Sequence, residues 1–117
     1  MSMTRLFSRK PCALLAALVF GAVLASTAHA RDYEAGKKKA EEVCKACHGA
    51  DGNTPLTPET PRLAGQYYEY LVHSLQAYRK GARENPLMTP MAKPLTDAEI
   101  RDVAWYFYKQ QGLVEKY

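Results

Sequence analysis

The chain has 117 residues, with 16 Lys or Arg against 12 Asp or Glu and a formal net charge of +4. Three of the basic residues lie before residue 31, where no acidic residue occurs, so residues 31–117 hold 13 basic and 12 acidic residues and carry a net charge of about +1. This near-neutral stretch of 87 residues gives little support to nucleic-acid binding and has room for one small domain. We expect a disulfide, a metal or a cofactor to reinforce its thin apolar core.

The first 30 residues have the order of a secretory signal peptide. Basic residues come first, an apolar run follows over 13–24, and small residues lead to Ala28-His29-Ala30, a cleavage sequence of the A-x-A type. The run is too short to cross a bilayer, which needs about 20 residues. We therefore predict a leader over 1–30, cleaved after Ala30, and a mature domain over 31–117 that lies in the periplasm without a membrane span. An uncleaved membrane anchor is the alternative.

Three segments have apolar residues at helical spacing, and no segment alternates as a strand would. The first helix is predicted over 33–47 with Asp32 as its N-cap, and the second over 66–80, ending at Gly81. The third begins at a capping box, Thr96 with Glu99, and runs to Gly112. We expect it to bury Ile100, Val103, Ala104 and Phe107.

Proline-bearing loops are predicted over 49–61 and 82–95, where three prolines each oppose regular structure. Three short helices and two such loops leave a large apolar gap in an all-α domain. A bound cofactor would fill this gap and become part of the core.

The sequence Cys44-Lys45-Ala46-Cys47-His48 is the strongest chemical signal in the chain. Residues at i and i+3 lie on one helix face, so both thiols can form thioethers to one haem while His48 reaches its iron. A disulfide is the simple alternative in an oxidising compartment. A thioredoxin-like pair would need a βαβ pattern that is not seen, and structural zinc would need further ligands.

The second axial position on such an iron has three candidates in the mature chain: Met88, Met91 and His73. A thioether is a soft, neutral ligand that raises the reduction potential. A methionine is more often core filler, but these two lie in a loop braced by Pro86 and Pro90. His73 is better explained as a surface or packing histidine.

The chain resembles the class I cytochromes c, specifically the small bacterial periplasmic type and one half of the two-haem bacterial forms. The resemblance covers residues 32–112 and rests on motifs in every predicted segment. These motifs are Glu34-Ala35-Gly36, Cys44-Lys45-Ala46-Cys47-His48-Gly49, Asp51-Gly52-Asn53, Pro61-Arg62-Leu63-Ala64-Gly65-Gln66, Met88-Thr89-Pro90-Met91, Leu95-Thr96-Asp97 and Asp102-Val103-Ala104-Trp105-Tyr106-Phe107. It implies a class I cytochrome c fold, with three main helices wrapped around one covalently bound haem c.

The resemblance also implies roles for single residues. The ligand methionine of the family stands seven residues before the leucine that precedes the last helix, which selects Met88, with Met91 as runner-up. The Pro61 carbonyl would fix the tautomer of His48, and Arg62 is a candidate contact for a haem propionate. Gly36 would lie against Tyr106 where the first and last helices cross.

Trp105 stands where small residues are common in the family. Helix geometry directs it away from Val103 and Phe107, toward the surface beside Tyr108. It would either shield the helix crossing or form part of a docking or dimer face.

The function implied by the resemblance is electron transfer rather than enzymatic catalysis. Iron held by His48 and Met88 would cycle between Fe(III) and Fe(II), serving redox proteins such as a membrane oxidase, a reductase or a periplasmic dehydrogenase. The chain would act as a monomer or weak dimer. Two alternatives remain: a dedicated haem c subunit of a periplasmic dehydrogenase or oxidase complex, and a haem enzyme or gas sensor with five-coordinate iron.

Overall fold

The structure, a computed structural model, describes residues 30–112. Its helical elements in chain order are α1 (Tyr33–Lys39), a π-helical segment (Ala40–Cys44), α2 (Lys45–His48), α3 (Tyr68–Lys80), α4 (Met88–Ala92) and α5 (Asp97–Lys109). No strand occurs in that part of the chain, and the predicted all-α class is confirmed. None of the helices over 30–112 is long and apolar enough to cross a membrane. Except for Ala30, the predicted leader lies outside the described residues.

The first helical run begins at the predicted N-cap. The Asp32 carboxylate accepts hydrogen bonds from the backbone N–H groups of Glu34 and Ala35, both at 3.0 Å. The predicted uninterrupted α-helix is wrong in one detail, because five residues of π-helix separate α1 from α2. A π-helical segment is frequent at functional sites, and here it ends at Cys44, the first thiol of the attachment sequence. Gly49, with φ of 83°, ends the run.

The crossing of α1 and α5 places backbone against backbone at Gly36. A Cβ added there would lie 2.1 Å from the Asp102 carbonyl oxygen and 3.2 Å from Tyr106 Cβ. The predicted contact with Tyr106 is confirmed, and the closest atoms belong to the preceding turn of α5. The Asp102 carboxylate also accepts a hydrogen bond of 2.9 Å from the Asp32 backbone N–H. This crossing therefore has no room for any side chain larger than hydrogen.

The hydrophobic core lies between the first helical run, α3 and α5. All four residues predicted to face inward on α5 are buried. The core cluster comprises Ala40, Leu71, Val103, Ala104, Tyr106 and Phe107. It contains no residue of α4, although Ala92 of that helix is fully buried.

Two predicted boundaries and one predicted loop are wrong. Helix α3 begins at Tyr68 because Tyr67 has extended backbone angles, and α5 ends at Lys109 because Gln110 is extended. Gly112 is not the helix cap. Instead, Gly112 packs against the backbone of Ala64, where an added Cβ would lie 2.3 Å from the Ala64 carbonyl oxygen.

The predicted loop over 82–95 contains the short helix α4. Its first turn is organised by Asn85, whose side-chain oxygen accepts the backbone N–H groups of Leu87 and Met88 at 2.9 Å. Pro86 is no obstacle at this point, because it lies two residues before α4, where its missing N–H group interrupts no hydrogen bond of the helix. Prolines in this segment are therefore compatible with a short helix, although they predicted a loop.

Candidate haem-binding site

The two thiols of the attachment sequence lie in different surroundings. Cys44 is half-buried against the hydrophobic core, whereas Cys47 is exposed, and both are free. Burial, followed by the charge of Cys47, raises the pKa of the Cys44 thiol to about 11. Cys44 is therefore protonated at neutral pH, and neither sulfur is engaged in a disulfide.

The imidazole of His48 is buried, with 5% of the residue exposed, at the end of α2. Its Nδ1 lies 2.8 Å from the carbonyl oxygen of Pro61. A carbonyl only accepts hydrogen bonds, so Nδ1 carries the proton and donates it. The other ring nitrogen, Nε2, then has a free lone pair, which is the arrangement of a metal-ligating histidine. The contact between Pro61 and His48 is thus the one that the resemblance implies.

The loop after His48 is folded back onto α5. Gly52 has a φ of 78°, and a Cβ there would lie 2.8 Å from Phe107 Cδ1. The Tyr106 hydroxyl donates a hydrogen bond of 2.9 Å to the Ala50 carbonyl, and the Gly52 carbonyl accepts one of 2.9 Å from the Leu63 N–H. These contacts bring the chain around to Pro61. The position of the His48 ring is therefore set by the core.

The two candidate methionines lie on α4 with different exposure. Met88, the first residue of the helix, is half-buried, whereas Met91 is 46% exposed. His73 lies exposed on α3, as a surface histidine would. The far end of α4 is tied to α3, because Arg79 donates a hydrogen bond of 2.8 Å to the Leu95 carbonyl and forms an ion pair with Asp97.

Arg62 is exposed and directly follows Pro61 in the chain, and its contact with a haem propionate stays a prediction. Trp105 is half-buried and stacks on Tyr108 with ring centres 5.4 Å apart. The sequence predicted this position beside Tyr108. The Trp105 ring also lies nearly perpendicular to the Tyr68 ring, with centres 6.1 Å apart, and has the Lys109 ammonium 4.9 Å from its centre. This aromatic cluster lies on the outer side of the core.

Sequence reasoning missed the polar residues that hold these loops. Asn85 and Arg79 fix the two ends of α4, and the Tyr106 hydroxyl fixes the loop after His48. A signal for Asn85 existed, since Asn-Pro dipeptides mark turns. The partners of Arg79 and Tyr106 are distant in sequence and had no such signal.

The residues of this site fit a covalently attached haem. Two free thiols stand at i and i+3, and the next residue is a buried imidazole whose Nδ1 proton is held by a carbonyl. That leaves Nε2 as a donor to iron, while the thiols are available for thioether formation. A methionine thioether on α4 completes the donor types that such a group uses.

Comparison with known proteins gives the same family. A cytochrome c family profile matches residues 33–109. The chain is 51% identical over 79 residues to cytochrome c4 of Thiocapsa roseopersicina, a match covering 68% of this chain and 40% of the relative. It is 46% identical over 85 residues to cytochrome c-554(548) of Halomonas halodenitrificans, covering 70% of this chain and all of the relative.

A further relative, named thiosulfate dehydrogenase electron acceptor in Thiomonas intermedia, is 44% identical over 66 residues, which are 56% of this chain and 30% of the relative. The crystal structure of reduced recombinant cytochrome c4 from Pseudomonas stutzeri superposes with a TM-score of 0.65 at 42% identity, covering 73% of this chain and 48% of that one. The chain thus spans about half the length of the cytochrome c4 relatives that it matches. It belongs to the cytochrome c family, with the class I fold and the covalently bound haem c that define it.

Proposed function

We propose that the chain is a periplasmic electron-transfer protein whose single haem c is attached through Cys44 and Cys47, with His48 and Met88 as axial ligands. The observation that carries the proposal is the hydrogen bond of 2.8 Å between His48 Nδ1 and the Pro61 carbonyl. This hydrogen bond leaves the lone pair of Nε2 free to bind iron. Two free thiols precede His48 in the sequence at the spacing used for haem attachment. The haem, when bound, supplies an iron that gains and loses one electron.

The protein residues have separate tasks in this proposal. Cys44 and Cys47 hold the group covalently, and the Pro61 carbonyl makes the His48 imidazole a stronger donor while fixing its orientation. Met88 would add a soft, neutral ligand that favours the reduced iron and raises the reduction potential. With both axial positions filled, no position remains for a substrate, and the protein acts as a carrier rather than an enzyme.

The proposed partners are other redox proteins, such as a periplasmic dehydrogenase, a reductase or a membrane oxidase. The name of the Thiomonas intermedia relative, an electron acceptor of thiosulfate dehydrogenase, supports a dehydrogenase as electron donor. A fixed haem subunit of such a complex would use the same chemistry. Co-purification of the untagged protein with a larger enzyme distinguishes the subunit from a free carrier.

The test of axial ligation is spectroscopic. Visible and far-red spectra of the periplasmically matured protein are recorded, oxidised and reduced, for the wild type, Met88→Ala and Met91→Ala. We expect a sulfur-to-iron charge-transfer band in the oxidised wild type and in Met91→Ala, and its loss in Met88→Ala. Loss in Met91→Ala alone would move the ligand by three residues and keep the carrier function.

Carbon monoxide distinguishes the carrier from a haem enzyme or gas sensor. The reduced wild type should bind the gas poorly, because Met88 occupies the position that the gas would take. A high-spin wild type that binds carbon monoxide readily would contradict the carrier.

Mass spectrometry of the matured protein tests export, since a leader cleaved after Ala30 gives a chain that begins at Arg31.

A further inference from the structure

The hydrogen bonds at the start of α4 converge on one residue, Asn85. The Asn85 side-chain oxygen accepts hydrogen bonds of 2.9 Å from the N–H groups of both Leu87 and Met88. The Asn85 backbone carbonyl accepts a third, of 3.0 Å, from Thr89. Pro86 has no N–H group. The backbone donors of three consecutive residues at the entry to α4, Leu87, Met88 and Thr89, are therefore all satisfied by Asn85.

The contact is reciprocal. The Thr89 hydroxyl accepts a hydrogen bond of 3.1 Å from the Asn85 backbone N–H. The result resembles a capping box, in which the residue before the helix and one in its first turn satisfy each other's donors. Asn85 is thereby held in place by the turn that it holds.

Apolar burial does not fix this turn. Leu87 is 72% exposed and Met91 is 46% exposed, and no residue of α4 belongs to the core cluster. A helix of five residues is also far too short to be stable by itself. The backbone position of Met88 therefore depends strongly on the polar contacts of one residue, Asn85. The backbone position of His48 depends on no single residue in this way.

We propose that Asn85 is a positioning residue for the axial thioether: by accepting the backbone N–H of Met88, it keeps that residue in place to bind iron. This inference rests on the proposed ligation by Met88. Its prediction is that removal of the Asn85 side chain raises the fraction of molecules in which the methionine has left the iron.

Imidazole added to the oxidised holoprotein measures that fraction, because it competes for the position that Met88 occupies. The apparent dissociation constant falls as the methionine-free fraction rises. For Asn85→Ala we expect about fivefold tighter imidazole binding, the equivalent of one lost N-cap. Asn85→Asp keeps both acceptor contacts and should bind imidazole as the wild type does. Thr89→Val, which removes only the reciprocal acceptor, should show a smaller shift in the same direction.

Asp32→Ala is the matched control, because Asp32 is the N-cap of α1, on the His48 side, and its carboxylate also accepts two backbone N–H groups, those of Glu34 and Ala35, at 3.0 Å. It should lower the thermal midpoint about as much as Asn85→Ala does while leaving imidazole affinity unchanged. Equal shifts of imidazole affinity in the two variants, or wild-type affinity in Asn85→Ala, would overturn the positioning role. That result is distinguishable from failure of the ligation itself, in which Met88→Ala would keep the far-red band and the positioning role would fall together with ligation by Met88.

Discussion

The two sides of the proposed haem site are built by different means. His48 ends a helical run that crosses α5 at Gly36 and contributes Ala40 to the core, and its ring is held by Pro61. Met88 lies on a five-residue helix that contributes nothing to the core cluster. The backbone N–H of Met88 donates a hydrogen bond to the Asn85 side chain, and Arg79 holds the chain after α4 at the Leu95 carbonyl.

This difference indicates how stability and ligation are divided. The His48 side cannot move without disturbing the packing of α5, so its stability is that of the whole domain. The Met88 side can open while the core stays intact, since hydrogen bonds at a solvent-exposed turn each contribute only about 1 kcal/mol. Regions of this kind open with smaller free energies than the core does.

The largest effect on the free energy of unfolding is expected from Gly36→Ala, which changes the helix crossing on the His48 side. The added Cβ would lie 2.1 Å from the Asp102 carbonyl oxygen, so α1 and α5 must separate. We expect a loss of roughly 3 kcal/mol in unfolding free energy, at the upper end for overpacking. Thermal unfolding followed by circular dichroism measures it. Lys37→Ala, on the exposed face of the same helix, is the control, and a Gly36→Ala protein as stable as this control would contradict the described crossing.

Gly52→Ala compared with Gly81→Ala separates close packing from backbone strain. Both glycines have positive φ, 78° and 75°, but a Cβ at Gly52 meets Phe107 Cδ1 at 2.8 Å, whereas one at Gly81 meets nothing within 4 Å. Each substitution carries about 1–2 kcal/mol of left-handed strain. We expect Gly52→Ala to cost about 1–2 kcal/mol more because of the overlap with Phe107. Equal unfolding midpoints for the two variants would show that the loop after His48 does not rest on the core as described.

Tyr106→Phe removes one contact of the His48 side and keeps its packing. The lost hydrogen bond from the Tyr106 hydroxyl to the Ala50 carbonyl should cost about 1 kcal/mol. The far-red band should keep its wild-type intensity, because the Met88 side is untouched. Denaturant titration gives the free energy, and a variant with wild-type stability would mean that the hydroxyl contributes nothing to holding the loop.

Lys39 of α1 and Glu99 of α5 form an ion pair with Nζ and Oε1 2.9 Å apart. Glu99→Gln tests this ion pair, and its effect should depend on pH. The backbone N–H of Thr96 and then the Lys39 ammonium lower the pKa of Glu99 below its usual 4.5. A carboxylate with a lowered folded pKa stabilises fully above its unfolded pKa and loses that effect as pH falls through the folded value. The wild type should therefore unfold at a slightly higher temperature than Glu99→Gln at pH 7, with the difference closing below about pH 4.5. A difference that stayed constant down to pH 2 would show that the charge of Glu99 plays no part.

The sequence predicted most of the His48 side, because its signals are local. Asp32, the capping box at Thr96 and the inward face of α5 each follow from the spacing of neighbouring residues, and all were found as expected. The contact of Gly36 with Tyr106 came from the family resemblance. The π-helical segment before α2 was missed, since no residue in Ala40–Cys44 distinguishes it from α-helix.

The Met88 side was predicted less well. Three prolines suggested a loop, and α4 was missed because proline opposes helix only beyond its first turn. The hydrogen bond from Arg79 to the Leu95 carbonyl joins residues 16 positions apart, and no local sequence pattern predicts it. A segment held by long-range polar contacts is hard to predict from sequence for that reason.

One titration tests the division between the two sides most directly. The oxidised holoprotein is unfolded with guanidinium chloride, and the far-red sulfur-to-iron band and far-ultraviolet circular dichroism are recorded on the same samples. We predict that the band disappears at a lower denaturant concentration than the helical signal, because Met88 leaves the iron while the core around Gly36 and Phe107 stays folded. Coincident transitions would contradict this, since they would mean that the Met88 side is as firmly held as the core.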